Sequence, residues 1–239
     1  MYAEVVSDVG LVRKNNEDSL WCDLDNQLFI VADGMGGSAA GEVASKMAIN
    51  TVVHSISQST NDTPSEILRQ SFYQANNSIF QEARQHEEYS GMGTTLSALW
   101  IVDEKAYLCH VGDSRIYLVR EGEIRLLTRD HSLVGELMRE GGITEEQAMT
   151  HPQKNILTRA LGCNAHVEVD IMELDTLAGD YFILCTDGLS NLIRSEEMVA
   201  LLDQGKGLKA AADELLKLAL ARGGSDNITA ILIYRTGIS

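Results

Sequence analysis

The stretch TLSALWIVDEKAYLCHVGDSRIYLVREGEIRLL, Thr95 to Leu127, decides the fold class. It reads as four consecutive apolar or alternating runs: Thr95 to Val102, Lys105 to Val111, Arg115 to Arg120 and Glu123 to Leu127. A hairpin-like succession of this kind favours antiparallel pairing over a regular alternation of strand and helix. Working outward, similar runs recur at Ala3 to Val6, Ser19 to Asp23, Leu28 to Ala32, Val167 to Met172, Tyr181 to Cys185 and Ile228 to Tyr234. About ten strands exclude a purely helical protein.

Three helical patterns interrupt them. The first, from about Gly41 to Ile56, places Val43, Met47, Val52 and Ile56 on one face. The second opens at Thr63-Pro64-Ser65-Glu66, where Thr63 can cap free amides and proline takes the first helical position; Leu68, Phe72, Ala75 and Ile79 form its stripe. The third, about Gly207 to Arg222, carries Leu208, Ala211, Leu215 and Ala219 and stops at Gly223-Gly224. The residues therefore read as an α+β protein of two antiparallel sheets flanked by helices. Asp130 to Leu161 is different: polar, broken at Gly141-Gly142, with a capping pattern at Thr144 to Gln147, and is expected to form a mobile flap within a single domain spanning 1–239.

At 239 residues and 44% hydrophobic, the chain can bury one sizeable core, and its two prolines and lack of low-complexity tracts leave no linker between domains. A formal net charge of −16 disfavours nucleic acid and anionic membrane as partners. The N-terminus lacks a basic, apolar leader and no 18-residue apolar run occurs, so a cytoplasmic location is expected. Cys22, Cys109, Cys163 and Cys185 show no C-x-x-C spacing and read as free thiols of a reducing compartment. A monomer is expected.

Chemistry concentrates at strand ends. LFIVAD closes with Asp33, AYLCHVGD with Asp113 and YFILCTD with Asp187, while Asp226 opens DNITAILIY. One such aspartate is an ordinary turn residue; four whose strand ends converge would repel strongly unless they bind protons or cations. With no Cys or His at the matching strand-end positions, the donors are all oxygen, which suits Mg2+ or Mn2+ better than zinc. Near the N-terminus, Arg13-Lys14-Asn15-Asn16-Glu17-Asp18 offers a guanidinium that can fork two phosphate oxygens, and Glu17 and Asp18 to orient metal waters. Gly34, Gly36 and Ala39 also fit G-x-G-x-x-A, a dinucleotide-binding spacing; the charge of Asp33 against a pyrophosphate, and no acidic residue near position 53, argue against an oxidoreductase. There is no P-loop and no G-x-S-x-G elbow, which leaves water as nucleophile.

In order along the chain stand RKNNED (Arg13 to Asp18), VADGMGG (Val31 to Gly37), GMGTT (Gly91 to Thr95), HVGDSR (His110 to Arg115), TRDHS (Thr128 to Ser132), CTDGL (Cys185 to Leu189) and GGSDNIT (Gly223 to Thr229). Together they resemble the metal-dependent protein phosphatases of the protein phosphatase 2C family, especially its compact bacterial members. The resemblance implies a central β-sandwich with helices on both outer faces and hydrolysis of phosphoserine and phosphothreonine, opposing a bacterial serine/threonine kinase. By motif position it implies Asp33, Asp187 and Asp226 on a first Mg2+ or Mn2+, Asp33 and the Gly34 carbonyl on a second, and Asp113 with Asp187 on a weaker third. Arg13 corresponds to the phosphate clamp, Asp18 acts through water, and Glu17 and Asn227 support the ligands. Met35 and Ser38 stand where many relatives have histidine, leaving water at the metals, then His131, as sources of the leaving-group proton. The rival reading is a non-catalytic module of the same fold that binds phosphopeptide or metal without turnover.

Overall fold

The computed structural model describes residues 1–36, 40–59, 62–144, 147–148, 151–202 and 207–237. Eleven strands among them form two antiparallel sheets. The first sheet has the order β1 (Tyr2–Asp8), β11 (Ile228–Tyr234), β10 (Tyr181–Cys185), β7 (Arg115–Arg120), β8 (Glu123–Leu126). The second runs β2 (Asp18–Asp23), β3 (Leu28–Met35), β5 (Leu96–Val102), β6 (Lys105–Val111), β9 (Asp170–Asp175), with the two-residue β4 (Gly93–Thr94) paired to the end of β3.

Alternation along the strands feeds three apolar layers. Phe29, Val31, Leu99, Leu108, Ile116, Leu118, Phe182 and Ile231 meet between the sheets. Their neighbours in sequence face outward: Ile30, Ala32 and Ala98 lie under α1 (Ala40–Gln58) and α2 (Pro64–Gln85), while Ile183, Ala230 and Leu232 lie under α5 (Ser195–Leu202) and α6 (Leu208–Ala221). Period-two strands buried on both faces give near-continuous apolar runs, and the layers are helix, sheet, sheet, helix, as the sequence implied.

Two expectations are corrected. The last strand of the second sheet starts at Asp170, not Val167, and continues to Asp175. Its partner β6 ends at Val111, and pairing begins at His110↔Asp170, so Val167 and Val169 pack on the helical layer without a strand to join. On α1 the fully buried face is Ala40, Ala44, Ala48, Ile49 and Val52, whereas Val43, Met47 and Ile56 are only half-buried. Small side chains let the helix axis approach the sheet, and the larger ones flank the contact. The second helix keeps its expected stripe, with Leu68, Phe72, Ala75 and Ile79 buried, and Thr63 accepts the Glu66 amide as its cap. Short helices that were not anticipated include a 3-10 turn at Glu87–Tyr89 and α3 (Leu133–Arg139), α4 (Asp187–Ser190) and α5. The capping pattern at Thr144 is present as reciprocal bonds with Gln147; Glu145 and Glu146 lie outside the described residues.

Candidate active site

Turns at one end of the sandwich bring the singled-out residues together. A single cleft of about 350 Å3 is lined by Arg13, Glu17, Asp33, Gly34, Asp113, Asp187, Asp226 and Asn227. Asp33 sits within the end of β3, Asp113 just after β6, Asp187 at the start of α4 directly after β10, and Asp226 just before β11. Asp18, the first residue of β2, pairs across to Asp33. Two glycines make this convergence possible by having no side chain. A Cβ on Gly34 would lie 2.0 Å from the Gly41 carbonyl oxygen, and one on Gly188 1.9 Å from that of Asn227. Each follows an aspartate, so the Asp-Gly pairs mark places where the chain is pressed against neighbouring backbone.

The electrostatics are those of an unneutralised cluster. Asp33 is raised well above the ordinary carboxylate range, by burial first and then by Asp18, Asp187, Asp113 and Asp226. Asp113 is raised by burial and Asp187, and Asp187 by burial and Asp226. Asp18, buried, is pushed up to about 7 by burial and the nearby aspartates, although Thr186 donates to its Oδ2 at 2.8 Å. Arg13 supplies the countercharge at the mouth, its Nη2 donating to Asp226 Oδ2 at 2.7 Å.

A loop carrying Arg13 is pinned from below by Asn227. The Asn227 side chain accepts the Glu17 amide at 2.8 Å and donates to the carbonyls of Val9 (3.0 Å) and Asn15 (2.9 Å). Sequence reasoning gave no role to Thr95, the last residue of GMGTT. Its Oγ1 accepts the Asp33 amide at 2.9 Å and lies 2.7 Å from Ser114 Oγ, bracing the two aspartate turns against each other. A second Thr beside a glycine where a strand begins was the available signal. Lys14, Asn15, Met35, Gly36, Asn155 and Leu157 complete the cleft, the last two from the 130–161 segment. Ser38 and Ala39 lie outside the described residues. His131 is turned away from the cleft: Gly112 N donates to its Nδ1, and its Nε2 faces Asp170 Oδ2 at 3.3 Å. That removes it as a donor to a leaving group.

Among the described residues, no three His, Cys, Asp or Glu side chains stand closed on one point as a finished metal cage. The donor set nonetheless fits hard divalent cations. Asp18 Oδ1 and Asp187 Oδ1 are buried with no hydrogen-bond partner, and a buried carboxylate oxygen without donor or cation is costly. An all-oxygen shell beside repelling aspartates is what Mg2+ or Mn2+ neutralises.

Two antiparallel sheets under paired helices, with this aspartate cluster at one end, define the class. The chain belongs to the protein phosphatase 2C family, whose sequence profile matches residues 12–232. It is a metal-dependent protein serine/threonine phosphatase. Among relatives, it is 42% identical to serine/threonine phosphatase stp of Listeria welshimeri over 98% of this chain and 96% of that protein. Protein phosphatase PhpP of Streptococcus pneumoniae is 37% identical over 98% and 97%. The crystal structure of the Mycobacterium tuberculosis serine/threonine phosphatase PstP/Ppp superposes with a TM-score of 0.91 at 37% identity, covering 99% of each chain. The catalytic domain of PstP has also been solved in complex with two manganese ions; it matches with a TM-score of 0.88 at 37% identity, over 97% of this chain and 96% of that one.

Proposed function

We propose that this phosphatase hydrolyses phosphoserine and phosphothreonine esters of proteins in the cleft between Arg13 and Asp187. Asp33, Gly34, Asp187 and Asp226 would hold two Mg2+ or Mn2+ ions with Asp33 shared, and Asp113 with Asp187 a weaker third. The observation that carries this reading is the shared cleft itself: four aspartates and one arginine from five separate turns line one wall-to-wall space. When bound, the ions supply a water acidic enough to lose its proton near neutral pH and positive charge to offset that of the phosphoryl group.

The chain's own residues do the rest. Arg13 releases Asp226 and forks two phosphate oxygens with parallel N–H groups, held in range by the Asn227 anchor below its loop. Asp18, fixed by Thr186, orients water as an acceptor. Among the described residues the hydroxyl lining the cleft is that of Thr95, which is engaged by the Asp33 amide and Ser114, and water is the nucleophile; no covalent phosphoenzyme is needed. The 130–161 segment contributes Asn155 and Leu157 to the cleft wall and acts as a flap over substrate. Its ends are tied by the Ser132↔Leu157 and Thr94↔Leu161 bridges.

The phosphatase acts as a cytoplasmic monomer opposing a bacterial serine/threonine kinase. Among the described residues no helix is long and apolar enough to cross a membrane. The test is phosphate release from a phosphothreonine peptide in EDTA, Mg2+ or Mn2+, with Asp187→Ala alongside. Release that requires metal and vanishes in the variant is expected. Metal binding without turnover would turn the reading to the non-catalytic module.

A further inference from the structure

The TRDHS motif contributes nothing to the cleft, yet its histidine is among the most heavily engaged side chains in the molecule. His131 N donates to Gly112 O at 2.8 Å, and Gly112 N donates back to His131 Nδ1 at 3.1 Å. A backbone N–H can only donate, so Nδ1 is the acceptor and the ring proton sits on Nε2. Nε2 lies 3.3 Å from Asp170 Oδ2 and 3.3 Å from Arg159 Nη1, which is itself 3.1 Å from the other oxygen of that carboxylate; of these two neighbours only the carboxylate can accept the Nε2 proton, and Arg159 is paired with that carboxylate. On the opposite side of the same residue, Thr158 N donates to His131 O at 2.8 Å. His110, buried, stacks against the ring at 4.9 Å between centroids, and its own nitrogens are taken by Ser97 and the Arg129 carbonyl.

Gly112 immediately precedes Asp113, and Thr158 immediately follows Leu157, which lines the cleft. One residue thus grips the turn that carries an aspartate and the returning end of the flap segment. We propose that His131 is a positioning residue: its Nδ1 latches the Gly112–Asp113 turn while its backbone holds the flap base, so that both are set in one register. Asp170 serves the latch by holding the tautomer in which Nδ1 is free to accept. The link from this latch to metal affinity rests on the reading of Asp113 as a ligand.

Two isosteric changes separate positioning from mere packing. His131→Asn retains an oxygen where Nδ1 stood and so keeps an acceptor for Gly112, whereas His131→Gln retains only a group near Nε2. Amide hydrogen exchange at Gly112 is the direct measurement. His131→Gln is expected to speed it about tenfold, the loss of one buried hydrogen bond, and His131→Asn to leave it near wild type. Calorimetric titration with Mn2+ alone should follow the same order, with the weakest site about tenfold weaker in the glutamine variant, as for other outer partners of metal ligands. Equal Gly112 exchange in the two variants, or faster exchange in the asparagine one, overturns the latch. Asp113→Ala completes the set. If it leaves Mn2+ stoichiometry intact, the ligand assignment fails while the exchange result still decides the latch. If it removes the weak ion but His131→Gln does not weaken that ion, the coupling to metal fails.

Discussion

Strand β10 is five residues long and carries a buried or half-buried aspartate at each end, and the two are treated in opposite ways. Asp180, 1% exposed, is met by Arg120 through two bonds of 2.7 Å and by the Leu177 amide at 2.8 Å. Asp187, at the other end, leaves one buried oxygen without any partner and is raised by burial and by Asp226. Neighbouring β7 repeats the lesson: Arg120 at one end serves Asp180, while Arg115 at the other is spent on Asp130, held by three contacts of 2.7 to 3.2 Å. Arg13, at the mouth of the cleft, is half-exposed and bonds Asp226. The aspartate that holds the fold together is met in full by an arginine of the chain; in the cluster Asp226 alone has one, exposed at the mouth, while no arginine bonds Asp33, Asp113 or Asp187 among the described residues.

That contrast can be broken at either end. The largest effect is expected for Asp33→Ala, which should lower kcat on a phosphothreonine peptide by about a thousandfold or more, several kcal/mol of charge stabilisation. Asp33→Asn should meanwhile leave the melting temperature of EDTA-treated protein unchanged or higher, since it removes a repelling charge. A lower melting temperature would make Asp33 structural after all. Asp180→Ala should do the reverse: leave the Leu177 amide and the partly exposed Arg120 without their acceptor, cost about 2 kcal/mol and lower melting by about 6 °C for a chain this long, with kcat at 20 °C unaltered. Arg13→Ala should raise KM about tenfold by loss of phosphate positioning and cost under about 1 kcal/mol in stability, because its ion pair is exposed. Equal losses in kcat with an unchanged KM would deny it the clamp.

The smallest expected effect tests burial without a partner charge. Burial, then His131, holds the pKa of His110 down to about 4. The unfolded chain takes up this proton near pH 6.5 and the folded one does not, so the contribution of His110 is present above 6.5 and is lost as pH falls toward 4. The steepest slope for one group is about 1.4 kcal/mol per pH unit. Melting curves of His110→Gln should flatten relative to wild type only in that window, and identical slopes would show that His110 does not titrate there.

Much of the site was legible along the chain because its signals are local. An apolar run ending in Asp-Gly states both that a strand stops and that the backbone there passes too close to a neighbour for a side chain. Two such stops, two further aspartates at strand ends, an arginine loop and seven ordered motifs were enough to name the ligands to be tested. The strands of the inner layer were legible for the same reason, since alternation is written residue by residue.

What the sequence could not carry were relations between distant segments. Where β9 begins depends on where β6 runs out, and which face of α1 is buried depends on how closely small residues let it approach the sheet. The partner of Arg13 lies 213 positions away. The histidine of TRDHS could be read as an acid only until its nitrogens were seen to face Gly112 and Asp170. The sequence by itself determined the two-sheet architecture, the family and the oxygen-rich, hard-metal chemistry, because periodicity and residue type are local properties. Only the tertiary structure decided which aspartates are neutralised within the chain and which are left open, because charge balance is set by distance in space.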